Sequence, residues 1–254
     1  MKNMAPSPNS RARLNQAIGE SRSGRPSPLR LTRPPRPRVL ETSPIHETEE
    51  AVEYDAMVRR NFGLLNRPFV EMLLKIGPER ARVLDIGTGP GRIPVELARA
   101  RPGWEIWGVD MSEDMLSRAR GHAKEAGVDG QVRFLRGTAG ELPFANGDFD
   151  LTVSHFMLHH LERPEALFNE AARVTRGGGR VIIKDLLRQP RWKAGLLFFV
   201  SKYVLGHTAC QMKMYEESMD AALTIAEVRA ALKSSKLNMA QVKSFRSLDF
   251  VVTA

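Results

Sequence analysis

The stretch Arg82-Val83-Leu84-Asp85-Ile86-Gly87-Thr88-Gly89-Pro90-Gly91 constrains the rest of the chain most tightly. An apolar run ends in an acid, glycines follow at every second position, and residues 92–98 then show helical spacing. That order predicts a buried strand, a tight turn and a helix. Glycine lacks a Cβ, so it takes positive φ and lets another molecule come up against the main chain. The N–H groups that open the next helix suit a polar or anionic ligand group. A plain strand-to-helix connection uses glycine too, so the turn alone does not decide between a ligand site and a connection.

The second half of the signal lies one strand later. Residues 104–110 predict a strand that ends in Asp110, 19 residues beyond Gly91. An acid about 20 residues past a glycine-rich turn is where a parallel-sheet nucleotide site places the carboxylate that grips ribose hydroxyls. Ser112 then reads as a helix N-cap, with Glu113 and Asp114 in the favourable first turn.

The glycine spacing selects the ligand. A dinucleotide site has G-x-G-x-x-G, which a nicotinamide-dependent oxidoreductase would require, whereas Gly87, Gly89 and Gly91 give G-x-G-x-G with an acid two residues ahead. In these residues the chain resembles the class I S-adenosyl-L-methionine (SAM)-dependent methyltransferases, of the small-molecule type. Their first motif is [D/E]-x-G-x-G-x-G. The likeness runs from about residue 50 to the C-terminus and includes Leu142-Pro143-Phe144, Gly147-Asp148-Phe149-Asp150 and Leu158-His159-His160-Leu161. It implies an α/β fold, a doubly wound and mostly parallel seven-stranded Rossmann-like sheet with an antiparallel C-terminal hairpin edge. It also implies SAM as cofactor and S-adenosyl-L-homocysteine as product.

The resemblance assigns roles residue by residue. Asp110 would hold ribose, and Gly87, Thr88, Gly89 and Gly91 would admit the methionine portion. Asp85 would fix the turn or meet the methionine ammonium. Tyr54, on an N-terminal helical stretch from 47 to 76 with Asn66 as a second N-cap, would reach the methionine end or else pack between helices. Thr138 stands where the family often has an adenine-binding Asp, and a neutral acceptor is weaker than a charged one. Adenine recognition would then lean on Ala139 and Met111.

Backbone near Ser154 and His155 would meet the methionine moiety as well. The His155 side chain reads either as a general base with a pKa near 7 or as a structural residue. His159 and His160 are adjacent, so they are expected to point apart and make a poor metal pair; no metal site is expected. Asp185 ends the fifth strand, as a loop cap or a substrate contact. Gly177-Gly178-Gly179 is expected to stop the helix that Pro164 opens.

Residues 186–222 interrupt the α/β alternation, where the family usually places the lid of the acceptor pocket. Apolar, aromatic and sulfur-bearing side chains dominate there, and Phe199, Tyr203, His207 and Tyr215 are the candidate substrate contacts. Such a lining suits a hydrophobic or aromatic small molecule, although a core helix or a dimer surface has the same composition.

Charge is needed only to place the ends. The net charge is +9, but residues 1–40 alone carry nine Lys/Arg against one acid, so the remainder is near neutral at +1. That opening stretch is rich in Pro and Ser and cannot bury a core, so residues 1–45 are expected to be a disordered basic tail and 46–254 the methyltransferase domain. The tail reads as idle, as a weak nucleic-acid or anionic-surface tether, or as a ligand for a proline-recognising domain. No apolar run reaches the ~20 residues of a membrane span, so stable insertion is not expected. The single Cys210 excludes an intrachain disulfide and fits a cytoplasmic location. Two further functions stand beside a small-molecule methyltransferase: a non-catalytic SAM-binding protein, and a tail-assisted enzyme acting on RNA or protein. In motif style the chain also resembles the C-methyltransferases of quinone biosynthesis.

Overall fold

The computed structural model describes residues 37–41 and 48–254. Readings that fall on residues 1–36, including the basic tether, lie outside the described residues.

Among the described residues seven strands form one sheet in the order β3-β2-β1-β4-β5-β7-β6. They are β1 (Ala81–Ile86), β2 (Trp104–Asp110), β3 (Val132–Arg136), β4 (Phe149–His155), β5 (Thr175–Leu186), β6 (Gln241–Phe245) and β7 (Asp249–Thr253). β1 to β5 run parallel, while β7 pairs antiparallel with both β5 and β6, so the C-terminal hairpin forms the expected edge.

The helices are α1 (Thr48–Leu65), α2 (Arg67–Ile76), α3 (Arg92–Ala100), α4 (Glu113–Glu125), α5 (Pro164–Val174), α6 (Arg191–Tyr203), α7 (Ala209–Ala221) and α8 (Ile225–Lys233). Strand periodicity divides the core. Val83 and Ile106 point into one apolar layer with Phe69 and Leu73 of α2, Leu97 of α3 and Leu116 of α4. Leu84 and Ile86 point the other way, to Leu167 and Phe168 of α5, Val228 and Leu232 of α8, and Phe250.

Several local expectations hold, and three change. Ser112 caps α4 by accepting the Met115 N–H, and Thr224 with Glu227 forms the capping box of α8. Asn66 occupies the N-cap of α2 but in a helical conformation, with no side-chain cap bond. The three glycines do not end α5. It stops at Val174, and Gly177 to Gly179 lie inside β5, where Gly178 takes φ +80° and the pairing with β4 shifts register.

The third change concerns the domain boundary. Residues 37–41, ahead of the expected boundary at 46, pack against the domain. Arg38 donates through Nε to the Ala221 carbonyl at 2.8 Å, and through Nη2 to the carbonyls of His159 at 3.0 Å and Leu161 at 2.8 Å. The Val39 N–H reaches the Asp220 carbonyl at 3.1 Å. A guanidinium with its fork on three carbonyls ties this segment to α7 and to the turn after β4.

Candidate active site

β1 and β4 are neighbours, and the chain winds outward from them in opposite directions, so the crevice at their C-terminal ends is the switch point where α/β sheets take ligands. Asp85 sits there, nearly fully buried. Its Oδ2 accepts the Thr88 hydroxyl at 2.8 Å, while Oδ1 has no hydrogen-bond partner among the described residues. Burial pushes the Asp85 carboxyl up to about 7 against the Thr88 hydrogen bond, and Asp110 adds to the rise. Asp110 spans the turn from β2: its Oδ2 accepts the Gly89 N–H at 2.8 Å and its Oδ1 the Ser112 N–H at 3.0 Å. Burial raises its pKa despite these bonds. Two such contacts leave part of a carboxylate's acceptor capacity for another donor.

The glycines divide the work differently from the expectation. All three have positive φ. A Cβ on Gly87 would lie 2.2 Å from Met157 Cγ, and one on Gly91 2.6 Å from Ala119 Cβ, so these two admit the protein's own side chains. Only Gly89 of the three leaves space for a ligand, its nearest neighbour being Tyr54 Cε1 at 3.8 Å.

Tyr54 reaches the turn because α1 is clamped there. Asp55 Oδ1 accepts from Arg92 Nε at 2.6 Å, Oδ2 lies 3.3 Å from His122 Nε2, and His122 Nδ1 is 2.8 Å from the Pro90 carbonyl. Burial would raise the Asp55 carboxyl, but His122 and Arg92 outweigh it and hold it down to about 2. The hydrogen bond to Asp55 in turn raises His122.

Between α1, the turn and the 186–222 segment lies a cavity of about 250 Å³. Asp85, Gly87, Thr88 and Gly89 form one wall, with Tyr54 across from them, and His155 and His159 line it too. The two histidines differ. His155 stacks on Phe69 at 4.8 Å, and its Nε2 is 3.3 Å from the ammonium of Lys184, which is itself buried and paired with Asp249 at 2.8 Å. Burial, and then Lys184, hold the imidazole well below its ordinary pKa. A ring whose lone pair faces a buried ammonium is a poor proton acceptor, so the structure does not favour His155 as a base.

His159 has the opposite surroundings. Its Nδ1 is 2.6 Å from Asp185 Oδ1, its backbone N–H donates to Asp185 Oδ2 at 3.0 Å, and its buried Nε2 has no hydrogen-bond partner among the described residues. Burial opposes the imidazolium, but Asp185 outweighs it and raises the pKa. Asp185 is both a partner to histidine and a backbone cap, its Oδ1 also accepting the Leu186 N–H at 2.5 Å.

The short 3-10 turn at Leu158–His160 brings the adjacent rings to 4.2 Å instead of splaying them. A Glu41 oxygen and one nitrogen of each ring all lie within 4.8 Å of one another. The His160 Nδ1–Glu41 hydrogen bond, at 2.6 Å, already engages two of the three groups.

The 186–222 segment folds as α6 and α7, and one side of it closes the cavity. Leu197, Val200, His207, Met214 and Tyr215 line the space. His207 is fixed by Ser201 Oγ at 2.5 Å and Asn61 at 3.0 Å, and burial pushes the Tyr215 hydroxyl up to about 12. Phe199 and Tyr203 lie outside the lining. They are exposed on the far side of α6, because positions 199 and 203 are rotated away from 197, 200 and 201.

Comparison with known proteins joins these features to a family. A methyltransferase-domain family matches residues 84–183. A demethylmenaquinone methyltransferase of Thermus thermophilus is 33% identical over 157 residues, covering 60% of this chain and 70% of that protein. The chain belongs to the class I SAM-dependent methyltransferases. A ubiquinone/menaquinone biosynthesis C-methyltransferase of Dinoroseobacter shibae is 33% identical over 146 residues, 56% of this chain and 58% of that protein. Among solved structures, a SAM-dependent methyltransferase of Aquifex aeolicus superposes with TM-score 0.60 at 18% identity, over 82% of this chain and 97% of that one. The PH0226 protein of Pyrococcus horikoshii gives 0.54 at 21%, over 79% and 90%. These two likenesses concern the fold.

For a SAM-dependent methyltransferase the residues present suit the cofactor. The unpartnered Asp85 oxygen offers a buried acceptor to a cationic group, and the space over Gly89 admits ligand against main chain. The remaining expected contacts share the same sheet edge without lining the cavity. Met111 is exposed and its carbonyl takes Arg136, Thr138 bridges to Glu141 in an exposed turn, and Ala139 packs on the second core layer. Ser154 is buried, with its hydroxyl donating to the Ile86 carbonyl at 2.8 Å. In this methyltransferase the sequence reading missed the Asp185–His159 pair and Glu41.

Proposed function

We propose that this methyltransferase acts on a small hydroxylated aromatic acceptor, and that His159 is the base that activates it. The observation that carries this reading is the buried Asp185–His159 pair, whose Nε2 makes no hydrogen bond among the described residues, has Glu41 Oε1 3.8 Å away, and belongs to a ring that lines the same cavity as the glycine turn. SAM supplies a methyl group on a sulfonium, already activated for displacement by a nucleophile.

Asp85, Thr88, Gly89 and Tyr54 would hold the methionine end, and Asp110 the ribose, with Met111, Thr138 and Ala139 around adenine. Gly87, Gly91 and Ser154 support that site by shaping its backbone. The acceptor lies under Leu197, Val200 and Met214, with His207 and Tyr215 as its polar contacts. His159 Nε2 takes the hydroxyl proton, and Asp185 stabilises the imidazolium through Nδ1–H. A phenolate is nucleophilic at oxygen and at its ortho ring carbons, so the same base serves O-methylation directly, and C-methylation once the methylated ring carbon has lost its proton to solvent and the ring is aromatic again. The two relatives named as menaquinone or ubiquinone methyltransferases support an aromatic acceptor.

The test is transfer of labelled methyl from SAM to a panel of quinols and phenols by wild-type protein and His159→Gln. Transfer that falls at least about a hundredfold in the variant, with S-adenosyl-L-homocysteine affinity unchanged, supports the reading. Full turnover by His159→Gln overturns the base, and no transfer to any hydroxylated aromatic overturns the acceptor class.

A further inference from the structure

The outer side of α6 is apolar and faces solvent. Trp192, Leu196, Phe199 and Tyr203 follow one another at steps of four, three and four, so they form a single stripe. Trp192 is 66% exposed and Tyr203 65%, and Leu196 and Phe199 are each 56% exposed. The Phe199 and Tyr203 rings lie 4.8 Å apart. A soluble helix normally turns such residues inward, but the inward side of α6 is already occupied by the cavity-lining Leu197, Val200 and Ser201.

Charge indicates what covers the stripe. Arg188 is buried against Glu227 and Lys213 pairs with Glu217, which leaves Arg191, Lys193 and Lys202 as the cations of α6 itself, a helix that contains no acid. Lys202 is exposed, with its ammonium 5.3 Å from the Tyr203 ring centroid. At the other end of the stripe Lys193 is held on the Ser247 carbonyl at 2.7 Å. Exposed Arg60 caps the C-terminal side by donating to the Gly206 carbonyl at 2.9 Å. Aromatic and aliphatic side chains rimmed by cations on one helix face match an anionic lipid surface, where rings sit at headgroup level and ammonium groups meet phosphates.

A second copy of the chain fits less well. The exposed part of these four side chains, 56–66% of each, offers roughly 500 Å², short of the ~800 Å² per partner of a stable dimer.

We propose that α6 docks on the surface of an anionic bilayer, inserting Trp192, Leu196, Phe199 and Tyr203 among the headgroups. The helix that forms the cavity lid then rests on the lipid, and a lipophilic acceptor passes from bilayer to cavity without crossing water. Docking itself does not depend on the acceptor proposed above; the delivery route rests on it.

Sedimentation of the full chain with vesicles of phosphatidylcholine, with and without phosphatidylglycerol, tests this. The expected result is salt-sensitive binding to the anionic vesicles that falls roughly tenfold or more in Leu196→Glu/Phe199→Glu. Lys202→Glu should weaken binding only to anionic vesicles. Both variants should keep S-adenosyl-L-homocysteine affinity, which reports an intact fold. Absence of wild-type binding overturns the proposal, as does equal binding by the double variant, which would assign attachment to the basic N-terminal stretch. A wild-type dimer dissolved by the double variant, without vesicle binding, overturns it in favour of self-association. Methyl transfer to a water-soluble phenol in the absence of vesicles separately reports the proposed function.

Discussion

Asp185 Oδ1 lies 2.6 Å from His159 Nδ1, at the end of β5 and beside the turn that follows β4. In the proposed mechanism the neutral imidazole is the base, and Asp185, against burial, raises its pKa above the ordinary 6.5. Protonation therefore persists to higher pH, and kcat/KM should climb along a limb centred above that value. In Asp185→Asn the limb should move to lower pH while the plateau drops about 10²–10⁴-fold, because tautomer and imidazolium support are lost together. A pH–rate profile of both proteins checks this, and an unmoved limb would assign the titration to another group.

Asp85 predicts an unusual stability profile for the protein without cofactor. Its folded pKa, about 7, lies above the ~3.9 of an unfolded Asp. Between those values the folded state holds a proton that the unfolded state has released, so stability falls as pH rises through this window. Asp85→Asn should flatten that fall and weaken SAM binding by at least about tenfold, since a charge-assisted contact is lost. Denaturant titrations at several pH values, paired with calorimetry, measure both effects.

Gly87 and Gly89 should respond differently to alanine. Gly87→Ala combines positive φ with a Cβ driven into Met157, so it should lose about 2–4 kcal/mol of stability. Gly89→Ala carries the φ strain alone, about 1–2 kcal/mol, and should lose cofactor affinity instead. Thermal melts with and without S-adenosyl-L-homocysteine separate the two patterns.

The Asp55 clamp should hold α1 best in mildly acidic solution. Asp55 is depressed to about 2, so its contribution is complete above the unfolded value of ~3.9 and lost as pH falls toward 2. His122 is raised, so its contribution is complete below ~6.5 and lost as pH rises through the folded value. Asp55→Ala should cost about 2 kcal/mol and speed amide exchange in α1. An unchanged exchange pattern would mean that packing alone holds the helix.

The β1 turn and Asp110 were legible because periodicity and spacing encode them locally, and the hairpin edge because the family resemblance implied it. The proton-handling pair was not. Asp185 and His159 are brought together only by the parallel pairing of β4 with β5, and the neighbouring histidine rings approach to 4.2 Å because they sit on a turn and not on a strand, where successive side chains point to opposite faces. His155 misled for the complementary reason: nothing in its local sequence announces that a buried Lys184 from the adjacent strand will face it. Arg38 and Glu41 sit in a stretch whose Pro- and Arg-rich composition reads as coil, and a guanidinium caught on carbonyl oxygens leaves no periodic trace.

That caught guanidinium makes the basic leader more than a detachable tag. Glu41 receives hydrogen bonds from His160 at 2.6 Å and from Ser218 at 2.8 Å, a few residues beyond the Arg38 anchor. Proteolytic trimming past residue 41 would take Glu41 from the cavity wall and open the histidine turn beside it to bulk water.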